Sequence, residues 1–194
     1  LKNTNTNLAS YLGINTYLGS DVNFDLEFCV AKKKNMPFFS LNEFSLWNNK
    51  FDVVYQDGIH LDLYSNIIWN PIDGKGVELV LKYNYFSSSE LGSLGSFYLP
   101  VFHFGLNPFY NLGDKIIGHI DLYASFGRRY TDAIENLDDG LMRNIVDFDV
   151  MIEYRYTRLL SAYLKASRVI GRYEIWENYP VISPQIQIGF SYQL

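Results

Sequence analysis

Gln187-Ile188-Gly189-Phe190-Ser191-Tyr192-Gln193-Leu194 alternates strictly between polar or small residues and apolar ones. Successive side chains of an extended strand point to opposite faces. Ile188, Phe190, Tyr192 and Leu194 therefore share one face, and Gln187, Gly189, Ser191 and Gln193 share the other. The same period of two runs through most of the chain. Val22, Phe24, Leu26, Phe28 and Val30 oppose Asn23, Asp25, Glu27 and Cys29. Phe51 to Trp69 keeps one phase, as do Val77 to Tyr85 and Val146 to Tyr156. No segment has a convincing helical period, so the reading is all-β.

Composition narrows the class. The chain has 194 residues, the length of one domain. Aromatic residues make up 17% and charged residues only 19%, a balance that favours an apolar environment. Net charge is −5, and Lys32-Lys33-Lys34 is the only basic cluster, which excludes nucleic acid as a partner. No apolar run is long enough for a transmembrane helix, but a spanning strand needs only about 9–11 residues, half of them polar. Cys29 is the single cysteine and can form no internal disulfide.

Turn signals divide the chain into ten strands, over residues 5–18, 21–31, 37–47, 51–70, 76–86, 96–110, 115–127, 145–157, 159–170 and 181–194. The faces of 37–47 are both mixed, and without it nine strands remain. Short turns at Gly19–Asp21, Pro71–Gly76, Asn111–Asp114 and Thr157–Arg158 contrast with longer connections at 87–95, 128–144 and 172–180. Residues 1–7 read as a lead or linker and 8–194 as the barrel. The Asn/Thr-rich lead and the start at Leu1 suit a mature form or a domain of something longer.

The spacing Gln187-x-Gly189-x-x-Tyr192-x-Leu194 resembles the C-terminal sorting signal of bacterial outer-membrane β-barrels, with Leu in place of the usual Phe. The resemblance implies a closed antiparallel up-and-down transmembrane barrel with short periplasmic turns and longer external loops. It also implies the bacterial outer membrane as location, with outer-membrane lipid and the barrel assembly machinery as partners.

Bulk decides which face meets lipid. Phe24, Phe28, Trp69, Tyr83, Tyr85, Phe102, Phe104, Phe126, Phe148, Tyr154, Tyr156, Phe190 and Tyr192 would overfill a small barrel's interior. Facing acyl chains they need no packing partner, and Tyr and Trp near strand ends suit interfacial girdles. The other face is then the lumen. It holds Asp25, Glu27, Asp52, Asp62, Glu78, Asp121, Asp147, Asp149 and Glu153 against Lys82, Arg155 and Lys165. Any ion path through so acidic an interior favours cations, and cations or small solutes are the expected partners.

His60, His103 and His119 fall on that lumenal phase. His60/Asp62 and His119/Asp121 form His-x-Asp pairs, in which a carboxylate can orient an imidazole for general-base work. Ten strands resemble the omptin proteases in strand count only, a family that uses an Asp–His pair, and other barrel enzymes act on lipid with Ser and His. A polar lumen generates such pairs readily, however. No cofactor and no metal site is expected. Cys29 reads as an inert thiol and Gly74-Lys75-Gly76 as a hairpin turn. Two functions follow. One is a narrow, cation-leaning pore, or the membrane anchor or translocation domain of a larger protein. The other is an outer-membrane hydrolase using a lumenal His/Asp pair.

Overall fold

Alternating β-branched and aromatic residues fit a pleated, one-sided surface. The computed structural model shows that surface for residues 2–41, 51–88, 100–130, 140–171, 173–176, 179–181 and 184–192. Its strands in chain order are β1 (Asn5–Leu18), β2 (Val22–Leu41), β3 (Phe51–Ile72), β4 (Lys75–Ser88), β5 (Phe102–Leu112), β6 (Ile116–Phe126), β7 (Arg129–Tyr130), β8 (Gly140–Leu141), β9 (Ile145–Arg155), β10 (Leu160–Ser167), β11 (Glu174–Trp176), β12 (Tyr179–Pro180) and β13 (Gln185–Tyr192).

Nine of these form one up-and-down antiparallel sheet in the order β1-β2-β3-β4-β5-β6-β9-β10-β13. The pairs β7-β8 and β11-β12 are short hairpin ladders in the connections that follow β6 and β10. The β1-β2, β3-β4, β5-β6 and β9-β10 turns are tight and lie at one end of the sheet. Chain reversal there uses left-handed backbone, as at Gly74 with φ of 73°. In the β5-β6 turn Asn111 and Asp114 close on each other: Asn111 Nδ2 donates to Asp114 Oδ1 at 2.9 Å, and the Asp114 amide donates to Asn111 Oδ1 at 3.1 Å.

Two expectations from sequence are corrected. Among the described residues the sheet has nine strands and is open: β1 pairs only with β2, and β13 only with β10. Residues 37–47 are not a separate third strand. Residues 37–41 continue β2 and pair with β3, from Pro37 opposite Tyr55 to Leu41 opposite Phe51, and 42–47 lie outside the described residues. The apparent break at residues 32–36 is a β-bulge, not a turn. Register shifts between Lys33 and Met36, with Asn35 in the left-handed region at φ 53° and its amide donating to Asp57 Oδ1 at 2.9 Å. Asn tolerates that conformation, so one strand absorbs the extra residue and runs on.

The sheet has almost no apolar core. Among the described residues only Ala31, Phe38, Phe86, Ala124 and Met142 are buried hydrophobics. The long apolar side chains stand outward on one face, among them Leu63, Trp69, Leu122, Ile152, Leu164, Ile188 and Phe190. Close packing occurs on the polar face instead, where rings cover glycines. A Cβ on Gly58 would lie 2.3 Å from the Ser87 carbonyl oxygen and 2.6 Å from the Phe86 ring. One on Gly189 would lie 2.5 Å from the Tyr163 ring. Phe86 also stacks on Phe38, with ring centroids 4.9 Å apart.

Gly58→Ala must therefore displace backbone as well as a buried ring, and it is expected to cost about 1–3 kcal/mol. Gly13→Ala, whose nearest neighbour would be 3.8 Å away, should be close to neutral. Urea midpoints of the folded protein in lipid would separate the two, and equal midpoints would refute the packing argument.

Candidate functional site

Cross-strand partners share a face, so register assembles the polar surface row by row. One row runs Gly13, Glu27, Tyr64, Lys82, His103 and Ser125 across β1 to β6. The next runs Asn15, Asp25, Asn66, Val80, Gly105, Tyr123 and Asp147, reaching β9. Glu78 faces Asn107, and Asp121 faces Asp149. Toward the tight turns lie His119, Met151, Lys165 and Gln187, then Glu153, Tyr163 and Gly189, then Arg155, Ser161 and Ser191. Asp62 is opposite Cys29, which is opposite Tyr11. All the charged residues singled out on the polar phase thus lie on one face of the sheet, except Asp52, whose side chain is outside the description.

The charges are engaged locally. Arg155 Nε donates to Glu153 Oε1 at 3.1 Å. Lys82 Nζ sits 5.4 Å from the centre of the Tyr64 ring. Asn107 Nδ2 donates to Glu78 Oε2 at 3.2 Å, and Asn15 Nδ2 donates to Asp25. A cavity of about 590 Å³ opens beside Tyr11, Glu27, Cys29, Lys33, Asp62 and Tyr64.

Asp147 has a different role from a free lining charge. It is 1% exposed. Its Oδ1 accepts the amides of Phe148 at 2.8 Å and Ile170 at 2.9 Å, and its Oδ2 accepts the Gly171 amide at 3.2 Å. Asp149 Oδ1 accepts the Arg168 amide at 2.8 Å. The chain after β10 turns at Arg168, φ 55°, and is laid against these two carboxylates. A Tyr123–Tyr173 hydroxyl contact of 3.0 Å fastens it further along. Two adjacent same-face acids on one strand thereby anchor the connection between β10 and β13.

Both predicted His-x-Asp pairs are formed. His60 Nδ1 lies 2.9 Å from Asp62 Oδ2, but also 2.8 Å from Lys33 Nζ. One ring nitrogen is thus shared between an ammonium and a carboxylate, unlike a base oriented by a carboxylate alone. His119 Nε2 lies 2.5 Å from Asp121 Oδ1. The pairs do not meet: His60 is on β3, far from the tight turns, and His119 is on β6, three residues into the strand after one. His103, on β5, contacts Ser125 Oγ through Nδ1 at 2.8 Å. The three rings do not converge, and among the described residues no group of three or more His, Cys, Asp or Glu is placed to hold a metal. The His103–Ser125 contact was not readable from sequence, because it depends on the register of residues 22 apart. Ser125 is buried, which withholds it from a substrate.

No family model and no curated protein sequence matches the chain. Solved structures do. Pyoverdine outer membrane receptor FpvA from Pseudomonas aeruginosa PAO1, bound to pyoverdine, aligns at a TM-score of 0.67 and 15% identity over 96% of this chain and 29% of its own. The fold is that of part of an antiparallel β-barrel wall. The copper transporter OprC gives a TM-score of 0.69 and 12% identity over 94% of this chain and 30% of its own. The siderophore receptor PirA from Acinetobacter baumannii gives 0.72 and 11% over 95% and 31%. The chain therefore spans less than a third of the length of each of these structures, and at such identities the likeness is one of fold.

Removing the Asp147 carboxylate should release the connection it holds. In Asp147→Ala, amide exchange at Ile170 and Gly171 is expected to accelerate by roughly tenfold or more, from about 1–3 kcal/mol of lost bonding to a charged acceptor. Unchanged exchange at both amides would show that the anchor lies elsewhere.

Proposed function

We propose that this chain is a nine-strand sector of the wall of a transporter barrel in the bacterial outer membrane, of the kind found in TonB-dependent receptors. The observation that carries the reading is the open sheet itself. Its apolar face presents exposed large side chains, and its polar face bears the bonded network. In water such an apolar expanse would need a covering partner; in a bilayer, acyl chains cover it. The unpaired edges of β1 and β13 are unsuited to lipid, where each unmatched backbone group costs several kcal/mol. Further strands would close the wall. Outer-membrane transporters close at about 22 strands around a plugged lumen, and nine strands fit as part of such a circuit. The structural neighbours support the same reading.

Transport through a gated barrel is favoured over a narrow ten-strand pore, because nine open strands enclose no pore. It is favoured over hydrolysis because the two His/Asp pairs are apart and His60 shares its nitrogen with Lys33. The polar face is then the lumenal wall, with the tight turns in the periplasm.

Cysteine labelling in intact outer membranes tests this reading. In a Cys29→Ser background, Leu63→Cys should react only with a membrane-partitioning maleimide. Tyr64→Cys, the next residue, should react with a charged one. The reverse pattern, or charged labelling at both, would place water on the apolar face and overturn the proposal.

A further inference from the structure

The three consecutive lysines do not act together. Lys33 turns to the polar face, its Nζ 2.8 Å from His60 Nδ1. Alternation sends Lys32 to the apolar face, Lys34 stands at the bulge opposite Asn5, and both are exposed. Their height on that face is fixed by register. Val22, Phe24, Leu26, Phe28 and Val30 are the outward apolar positions of β2 before the bulge, nine residues from first to last. That length matches a bilayer-spanning strand. Val30 stands level with Leu61 and Tyr85, and the next row holds Lys32 between the exposed apolar side chains of Leu8 and Ile59. Lys34 follows opposite Asn5. The basic pair therefore begins in the outermost row of the apolar band, at the end away from the tight turns.

A shallow hollow of about 700 Å³ lies next to it on the same face, lined by Lys2, Asn3, Thr4, Asn5, Pro37 and Tyr55 among others. It combines a third cation with amide and hydroxyl groups. Lys2 Nζ lies 5.5 Å from the Tyr55 ring centre, and the Lys2 amide donates to the Tyr55 hydroxyl at 3.1 Å. Thr4 Oγ1 donates to the Asn35 carbonyl at 3.0 Å, and Asn35 Nδ2 to the Asn3 carbonyl at 3.3 Å, which ties β1 to the bulge. The carboxylate at this level, Asp57, accepts the Asn35 amide.

We infer that Lys32, Lys34 and Lys2 with the adjoining hollow form a site for a phosphorylated lipid headgroup of the external leaflet. The inference rests on the reading above, that the apolar face meets lipid. Lysines in the outermost apolar row carry their ammonium groups on flexible stems to headgroup height, where they attract anionic headgroups. The neighbouring hydroxyl and amide groups suit the sugar of a glycolipid. Tyr85 and Tyr55, one below and one above the lysine row, suit the interface between acyl chain and headgroup.

The test uses the full-length protein in phosphatidylcholine nanodiscs. It is titrated separately with diphosphorylated lipid A, with the same lipid dephosphorylated, and with inorganic phosphate. Lys32→Gln/Lys34→Gln should weaken binding of the diphosphorylated lipid about tenfold. Lys33→Gln should leave that binding unchanged, and the dephosphorylated lipid should bind weakly throughout. Equal affinity in the double variant and the parent would overturn the site. Inorganic phosphate bound as tightly as the lipid would reassign it to free phosphate and overturn the lipid proposal. Quenching by brominated acyl chains, compared between the parent and Trp69→Phe, reports the lipid contact separately. A Trp69 component that is quenched while the lysine variants bind normally rejects the headgroup site alone. A Trp69 component that is not quenched rejects the lipid-facing wall itself.

Discussion

Antiparallel pairing between successive strands is the constraint on which everything else here depends. A soluble sheet gains most of its stability by burying one face against another layer. Among the described residues this one has no second layer, and its few buried hydrophobics cannot stand in for one. Order comes from the backbone ladder, unbroken from β1 through β13 across the nine-stranded sheet. In an acyl environment the ladder is compulsory, because no water competes for its donors and acceptors. The same demand makes an open sheet incomplete, and it is the physical link from this architecture to a larger closed wall.

The polar face meets a second requirement. Charges and amides next to a sheet must be bonded or wet. Glu78, Asp25 and Glu153 each take a neighbour on an adjacent position, and the carboxylates of Asp147 and Asp149 take backbone amides of the connection after β10. Glycines flatten the surface where the Phe86 and Tyr163 rings lie down on it. Rings laid over glycines restore contacts that glycine lacks and pin the register. Gly189 thus has a packing role in addition to its place in the terminal sorting-signal-like spacing.

Strict alternation made the strands and their faces legible in the sequence, because a period of two has only one structural reading over nine or more residues. The polar and apolar rows built by register coincide with the two phases read along single strands. Strand count was less legible. Lys32–Met36 is polar and carries Asn35, so it looks like a turn, yet a bulge costs one extra residue and lets pairing continue. Closure was not legible at all, since it depends on what lies beside the end strands. Within the candidate site, His60/Asp62 and His119/Asp121 were readable because partners two apart on a strand share a face. Lys33 at His60, Ser125 at His103 and the amides at Asp147 were not, because each contact joins different parts of the chain.

The bulge at Asn35 and the length of β2 have a consequence for self-association. β1 pairs with β2 only as far as Asn5 opposite Lys34, while β2 continues to Leu41. Above that point β2 is held by β3 on one side, and among the described residues it has no strand on the other. Asn3 and Thr4 still touch Asn35 there, but an edge without a paired strand is a template for adding a foreign strand, the first step of sheet aggregation. This edge is blunted at its root. Asn35 kinks it, Pro37 offers no amide hydrogen to the edge, and three lysines precede the exposed stretch. An approaching strand meets an interrupted ladder and a repelling charge. The overhang can stand in water without recruiting its own kind, while pairing below Lys34 stays regular.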